Sequence, residues 1–266
     1  KVEGPLMQSP PRILTALLMV LPAAAFLPLL SWWLQVDYNT IGDNTRNVLR
    51  GVVPMVTASL LWGLVVSVRA GWSGLIWRRR ARLAMPVVFW LIPVCWFLLV
   101  ALRLAAAPWP AMNMTYIVVL GAAMLLVGFN EELLFRGIVA TGARGAGEGS
   151  EARVMLVSAI AFGLFHLPNV LAGQALGATL GQVAYAFVMG CALYTSMRLA
   201  GSILLPVVMH ALWDFSVFAS KGVTLGMAAS AASSVLTLLT VGLTLAAAVW
   251  AARAARHTPA GQAGAA

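Results

Sequence analysis

Three short groups of residues carry side chains that could hydrolyse an amide. The first is Glu131-Glu132-Leu133-Leu134-Phe135-Arg136, the second runs from Phe162 to His166, and the third from His210 to Asp214. A carboxylate and an imidazole can together hold a water and take its proton. A second imidazole with a hydrogen-bonded partner can meet the negative oxygen of a tetrahedral intermediate. None of the groups brings a convincing nucleophile. Ser158 and Ser216 stand next to no base, which is the setting of a packing serine. Cys95 and Cys191 sit in apolar runs. They have no nearby basic residue to form a thiolate and no oxidising loop in which to pair.

Helical spacing assigns places within the groups. Glu132 and Arg136 are four apart, share a face and can pair. Glu131 is turned about 100° away and has no local partner. His210 and Asp214, again four apart, are within hydrogen-bonding reach. Phe162 lies one turn before His166 and can pack beside its ring. Pro168 disfavours helix at Leu167, so His166 belongs in a last turn, where the helix end opens space.

The elements that must position these groups are membrane helices. Of 266 residues, 61% are hydrophobic and 9% charged, against about 25% charged in soluble domains. Mean hydropathy is +0.91. One buried core cannot account for that, so the solvent is lipid. Ionisable residues inside a bilayer are costly and by default mark function. The net charge of +9 would suit nucleic acid in a soluble protein. Here the basic residues stand at the ends of apolar segments, as the positive-inside rule requires. The partner implied is a lipid bilayer, with no nucleic acid.

The pattern predicts an all-α polytopic membrane helical bundle with about eight transmembrane helices, near 13–35, 52–69, 83–106, 114–141, 152–167, 177–198, 202–219 and 231–252. They form a single integral membrane domain, 1–256, whose motif-bearing core is about 114–219. The Ala/Gly/Pro-rich tail, 257–266, reads as disordered. Arg12, the apolar run after it and Ala23-Ala24-Ala25 have the outline of a signal peptide. The run continues to about Trp33, however, long enough to cross a bilayer, and reads as a retained first helix.

Arg78, Arg79, Arg80 and Arg82 mark a cytoplasmic loop, and counting spans from it puts Lys1 and both termini inside. Trp32, Trp33, Trp72, Trp77 and Trp109 fit an interfacial belt. Gly173, Gly177 and Gly181, four apart, suggest close helix packing. If spans four and five turn in the Gly145–Gly149 stretch, Glu131 and His166 both lie about 22–26 Å from the turn. The three groups then meet in a buried cavity that faces the cytoplasm.

In order and spacing the three groups resemble the motif set of the CPBP family, the CAAX proteases and bacteriocin-processing enzymes also labelled for abortive infection. Its pattern is EExxxR, then FxxxH, then HxxxN or HxxxD. The resemblance implies a metal-free, glutamate-dependent intramembrane endopeptidase that needs no cofactor. Glu131 and His166 would activate the water, with Glu132 and Arg136 as structural support beside Phe162. His210 and Asp214 would form the oxyanion site. The eukaryotic-type enzymes carry Asn at that last position. An ionised Asp accepts hydrogen bonds and cannot donate them, so Asp214 would orient His210 and leave it the main donor.

The Ala- and Arg-rich composition looks bacterial. It implies a cell membrane, and a membrane-associated peptide or protein as substrate in place of a prenylated one. Three alternatives stay open. Two His and one Glu could make a zinc site with an open position, although no HExxH helix is present. The chain could be a non-enzymatic scaffold or immunity protein. It could also be a transporter with Glu131 as proton relay, although no broken-helix pair or inverted repeat is visible.

Overall fold

The computed structural model describes residues 10–79, 82–145 and 150–257. Lys1, Arg80, the 146–149 part of the expected turn and the tail after His257 lie outside the described residues. All regular structure among the described residues is helical. Eight helices make the bundle: α1 Ile13–Leu34, α2 Thr45–Arg69, α3 Val87–Ala106, α4 Met114–Arg144, α5 Glu151–Leu164, α6 Leu176–Ala200, α7 Leu204–Ala219 and α8 Met227–His257. Seven of these spans, α5 counted with its extension to Ala172, are long and apolar enough to cross a membrane. The shorter α7, with 16 residues, spans about 24 Å. The protein is thus an integral membrane, all-α polytopic bundle.

Local chemistry explains where the boundaries differ from the hydropathy pattern. α2 starts at Thr45 because the Asn44 side chain accepts from Asn47 N–H at 2.9 Å, and a π-helical stretch, Val48–Val52, leads into the span. α5 stops at Leu164, and a 3-10 stretch Leu167–Ala172 follows, with Pro168 in its first turn. α4 runs on to Arg144 through a π-helical segment, Leu133–Val139, whose side chains are all buried. The second half of α4 is therefore the bundle's central rod.

Glycines set the seams that bring the chemical groups together. A Cβ on Gly128 would stand 2.9 Å from both Val207 O and Ala211 N, so α4 and α7 meet backbone to backbone. A Cβ on Gly190 would lie 2.8 Å from Ala159 Cα, and one on Gly163 2.9 Å from Val183 O, which closes α5 onto α6. The expected packing at Gly173, Gly177 and Gly181 is corrected. Gly177 and Gly181 are exposed, with nothing within 4 Å of an added Cβ, because they sit on the outer side of the first turns of α6. Gly173 lies in the loop before α6, at φ 104°. Trp72 also leaves the expected belt: it is 1% exposed, whereas Trp32 and Trp33 are 76% and 72% exposed.

The helices alternate in direction, so the loops fall into two sets. The segments 70–79, 82–86 and 201–203, with Gly145 and Ser150, share one face, called here the arginine face. There Leu83 N–H donates to Arg198 O (3.1 Å), and Arg198 pairs with Glu151 (3.0 Å). The segments 35–44, 107–113, 173–175 and 220–226 share the opposite face. There Asn39 Nδ2 donates to Gly173 O (3.0 Å), and Lys221 Nζ donates to Asn39 O (2.8 Å).

Candidate active site

The frame of the site is built on Glu132 and Arg136, both fully buried. One oxygen of Glu132, Oε1, accepts from Arg136 Nη1 at 3.0 Å and from His210 Nδ1 at 2.9 Å. Arg136 also donates through Nη2 to Gly190 O (3.2 Å), and its guanidinium lies 4.5 Å over the Phe162 ring. These few contacts join α4 to α5, α6 and α7. Phe162 in turn presents its ring to both imidazoles, with centroids 5.2 Å from His166 and 5.5 Å from His210, each near perpendicular. Loss of one partner of such a buried ion pair costs about 3–5 kcal/mol.

Each imidazole is oriented through its Nδ1. His166 lies just beyond the last turn of α5, as Pro168 predicts, and its Nδ1 is 2.9 Å from Phe162 O. A carbonyl can only accept, so Nδ1 carries the hydrogen and Nε2 keeps a free lone pair. With Nδ1 of His210 bound to Glu132, its Nε2 faces Glu131 Oε2 at 3.7 Å and Asp214 Oδ2 at 3.5 Å. The expected His210–Asp214 hydrogen bond is thus a longer charge contact. The hydrogen bond that holds the ring comes from Glu132 on another helix, a partner that spacing along α7 could not reveal.

Glu131 ends in the space these groups surround. Its Oε2 is buried and has no hydrogen-bond partner, an uncommon condition for a buried polar atom. Glu131, Phe162, His166, His210 and Asp214 all line one cavity of about 290 Å³, whereas Glu132 and Arg136 stand behind its wall. Helical spacing had turned Glu131 away from Glu132 and Arg136; Phe162, expected as support beside them, also lines the cavity. No three His, Cys, Asp or Glu side chains among the described residues are grouped to hold a metal ion. Ser158 and Ser216 donate to the carbonyls of Phe135 (2.9 Å) and Trp213 (2.7 Å), and both cysteines are buried and free.

From Glu131, His166 and His210 the cavity runs past Met55, Val52 and Ile41 to Tyr38, toward the face opposite the arginines. α4 stays helical to Arg144, well past Glu131, and His166 lies just beyond the end of α5. Sequence reasoning also missed the polar residues of the cavity wall. Asn130 accepts through Oδ1 from Ser59 Oγ (3.0 Å). As a polar residue in an apolar span, Asn130 was open to the rule that found Glu131. At the far end Gln182 Nε2 donates to Tyr38 OH (3.1 Å), and Asn169 Nδ2 donates to Gln182 Oε1 (2.9 Å). Burial pushes the Tyr38 phenol up to about 12, so it stays a neutral donor. No local pattern marks Tyr38 or Gln182.

Residues 113–216 match the family model described as Type II CAAX prenyl endopeptidase Rce1-like. Over this stretch, less than half of the chain, the sequence is similar to the CAAX proteases. The matched segment contains all three chemical groups, the π-helical part of α4 and the glycine seams with α5, α6 and α7. No match is found among curated proteins. The general activity that goes with a CAAX-protease core is intramembrane proteolysis, which agrees with a site enclosed by membrane helices.

Proposed function

We propose that this CAAX-protease core hydrolyses a peptide bond of a membrane-associated protein or peptide, using a water activated by Glu131 and His166. The observation that carries the reading is the buried Oε2 of Glu131, without a hydrogen-bond partner, in a cavity shared with both imidazoles. A water that donates one hydrogen to Glu131 and the other to the His166 Nε2 lone pair would present its oxygen to a substrate carbonyl. Glu131 takes the proton as the oxygen adds to the carbonyl carbon. His210, doubly protonated, donates Nδ1–H to Glu132 and Nε2–H to the oxyanion. The proton on Glu131 then passes to the leaving amine as the C–N bond breaks. Asp214, an acceptor beside Nε2, positions His210 and offers the oxyanion nothing directly. Glu132, Arg136 and Phe162 hold the two imidazoles in place. The scheme uses no metal or other cofactor.

The test is cleavage of short membrane-anchored peptides by the purified protein in lipid, read by mass spectrometry. Parent, Glu131→Gln and His166→Ala are compared with and without a strong chelator. Cleavage abolished by both substitutions and spared by the chelator is expected. Cleavage lost to the chelator and restored by zinc would sink the metal-free scheme. Full activity in Glu131→Gln would remove the glutamate from the mechanism.

A further inference from the structure

We infer that the cavity is fed from the extracytoplasmic side, and that its substrate is an internal, outward-facing segment of a membrane-anchored protein close to the bilayer. The substrate half of this inference rests on the proposed hydrolysis; the sidedness does not.

Two observations fix the sidedness together. The first is the charge of the two faces. Among the described residues the arginine face carries Arg12, Arg69, Arg78, Arg79, Arg82, Arg153 and Arg253, besides Arg144 and Arg198, which engage Glu151. The opposite face has only Arg46, Arg50, Arg103 and Lys221, and Lys221 is paired with Asp43. Cations near span ends stay in the cytoplasm, so the arginine face is cytoplasmic. The second is the course of the cavity. Its wall takes Met55 from the early part of α2, Gln182 from the early part of α6, and Tyr38 and Ile41 from the loop between α1 and α2. All of these lie toward the opposite face, which is therefore the side from which the catalytic groups are reached.

The lining describes the occupant. Most of it is apolar, which suits aliphatic or aromatic side chains. At the outer end the polar groups are the neutral side chains of Tyr38, Asn169 and Gln182, now bonded to one another. A peptide in a low-dielectric cavity must have its N–H and C=O groups paired, and an amide side chain offers both a donor and an acceptor. No Lys or Arg is among the lining residues, and the imidazole of His210 already faces three carboxylates, Glu131, Glu132 and Asp214, so a free terminal carboxylate would find no unshared cation, and Glu131 and Asp214 would repel it. The fitting ligand is an extended internal segment with both ends leading away.

The full chain tests this in cells, with Cys95→Ala and Cys191→Ala as background. Thr40→Cys in the opposite-face loop, Ala24→Cys in the cavity wall and Arg79→Cys on the arginine face are challenged with a membrane-impermeant maleimide. Residues 40 and 24 are expected to label in intact cells, and residue 79 only in inverted vesicles. The reverse pattern overturns the sidedness whatever the activity. In parallel, one cleavable sequence is placed just outside or just inside the membrane in two single-span reporters. Cleavage of the outer reporter alone, lost in Glu131→Gln, is expected. Cleavage of the inner reporter alone, equally lost in Glu131→Gln, overturns the substrate assignment and leaves the hydrolase reading intact. Absence of any Glu131-dependent cut with outward labelling overturns the hydrolase reading and the substrate assignment with it, while the sidedness stands.

Discussion

Glu131 and Glu151 are both largely buried, and their surroundings could hardly differ more. Glu151, at the start of α5, accepts from Arg144 at 2.7 and 3.3 Å, from Tyr194 OH at 2.6 Å, and pairs with Arg198 at 3.0 Å. Both of its oxygens are occupied, and it ties α4, α5 and α6 together at the arginine face. Glu131 has an oxygen with no hydrogen-bond partner and a flank on a cavity. Glu132 falls between them: Oε1 serves two donors, Oε2 none, and the whole group is shut behind the wall. A fully satisfied buried network rigidifies. A carboxylate left open toward a cavity is held for something that arrives later. In the proposed mechanism the same residue type thus serves as joint, brace and base, according to how many donors the fold delivers to it.

Neutralising one carboxylate at a time separates these roles. Glu131→Gln is expected to lower peptide cleavage by about 10²–10⁴-fold, the usual worth of a general base. Its thermal unfolding should stay at the parent value, since no hydrogen bond is lost. Comparable losses of activity and stability would make Glu131 another brace. Arg136→Ala attacks the frame. It leaves Glu132 buried with His210 as its remaining partner and should cost about 3–5 kcal/mol, read as a lower unfolding midpoint in detergent. Arg136→Lys should recover little, because a single ammonium cannot both pair with Glu132 and reach Gly190 O as the guanidinium fork does.

Most of this division was legible from residue spacing, because the relevant pairs lie within single helices. Glu132 and Arg136 meet as i,i+4 neighbours must, Glu131 turns away from them, and Pro168 places His166 past a helix end. What spacing could not supply is tertiary. The bond from Glu132 to His210 spans 78 residues, and the Tyr38–Gln182 contact spans 144. The course of the cavity escaped for a related reason: depth was reckoned from one turn, whereas Tyr38 and Ile41, which line its far end, come from a loop distant in sequence. The glycine seams were missed differently. A spacing of four named Gly177 and Gly181, but only the facing helix decides which glycines lie at a seam, and it chose Gly190.

Glu151→Gln probes the carboxylate of the arginine face. It keeps the shape and removes the charge that Arg144 and Arg198 share, so a loss of about 1–3 kcal/mol in stability is expected. Cleavage per folded molecule should be unchanged. A selective drop in turnover at parental stability would show that the arginine-face cluster reaches the chemistry and that the two regions are not separate.

The smallest effects come from paired glycine substitutions on α6. Gly190→Ala puts a methyl 2.8 Å from Ala159 Cα, and neither backbone can yield cheaply. Overpacking of that kind costs about 1–3 kcal/mol. It should also depress activity, because Gly190 O is an acceptor for Arg136. Gly181→Ala adds the same methyl, two and a half turns earlier, to an exposed position with nothing within 4 Å. It should stabilise by about 0.4–1 kcal/mol by restricting the unfolded chain, with cleavage unaffected. Thermal unfolding of the two variants side by side measures the difference. If Gly181→Ala is destabilising, the outer side of α6 has a partner in the membrane, and its run of small residues packs against a neighbour after all.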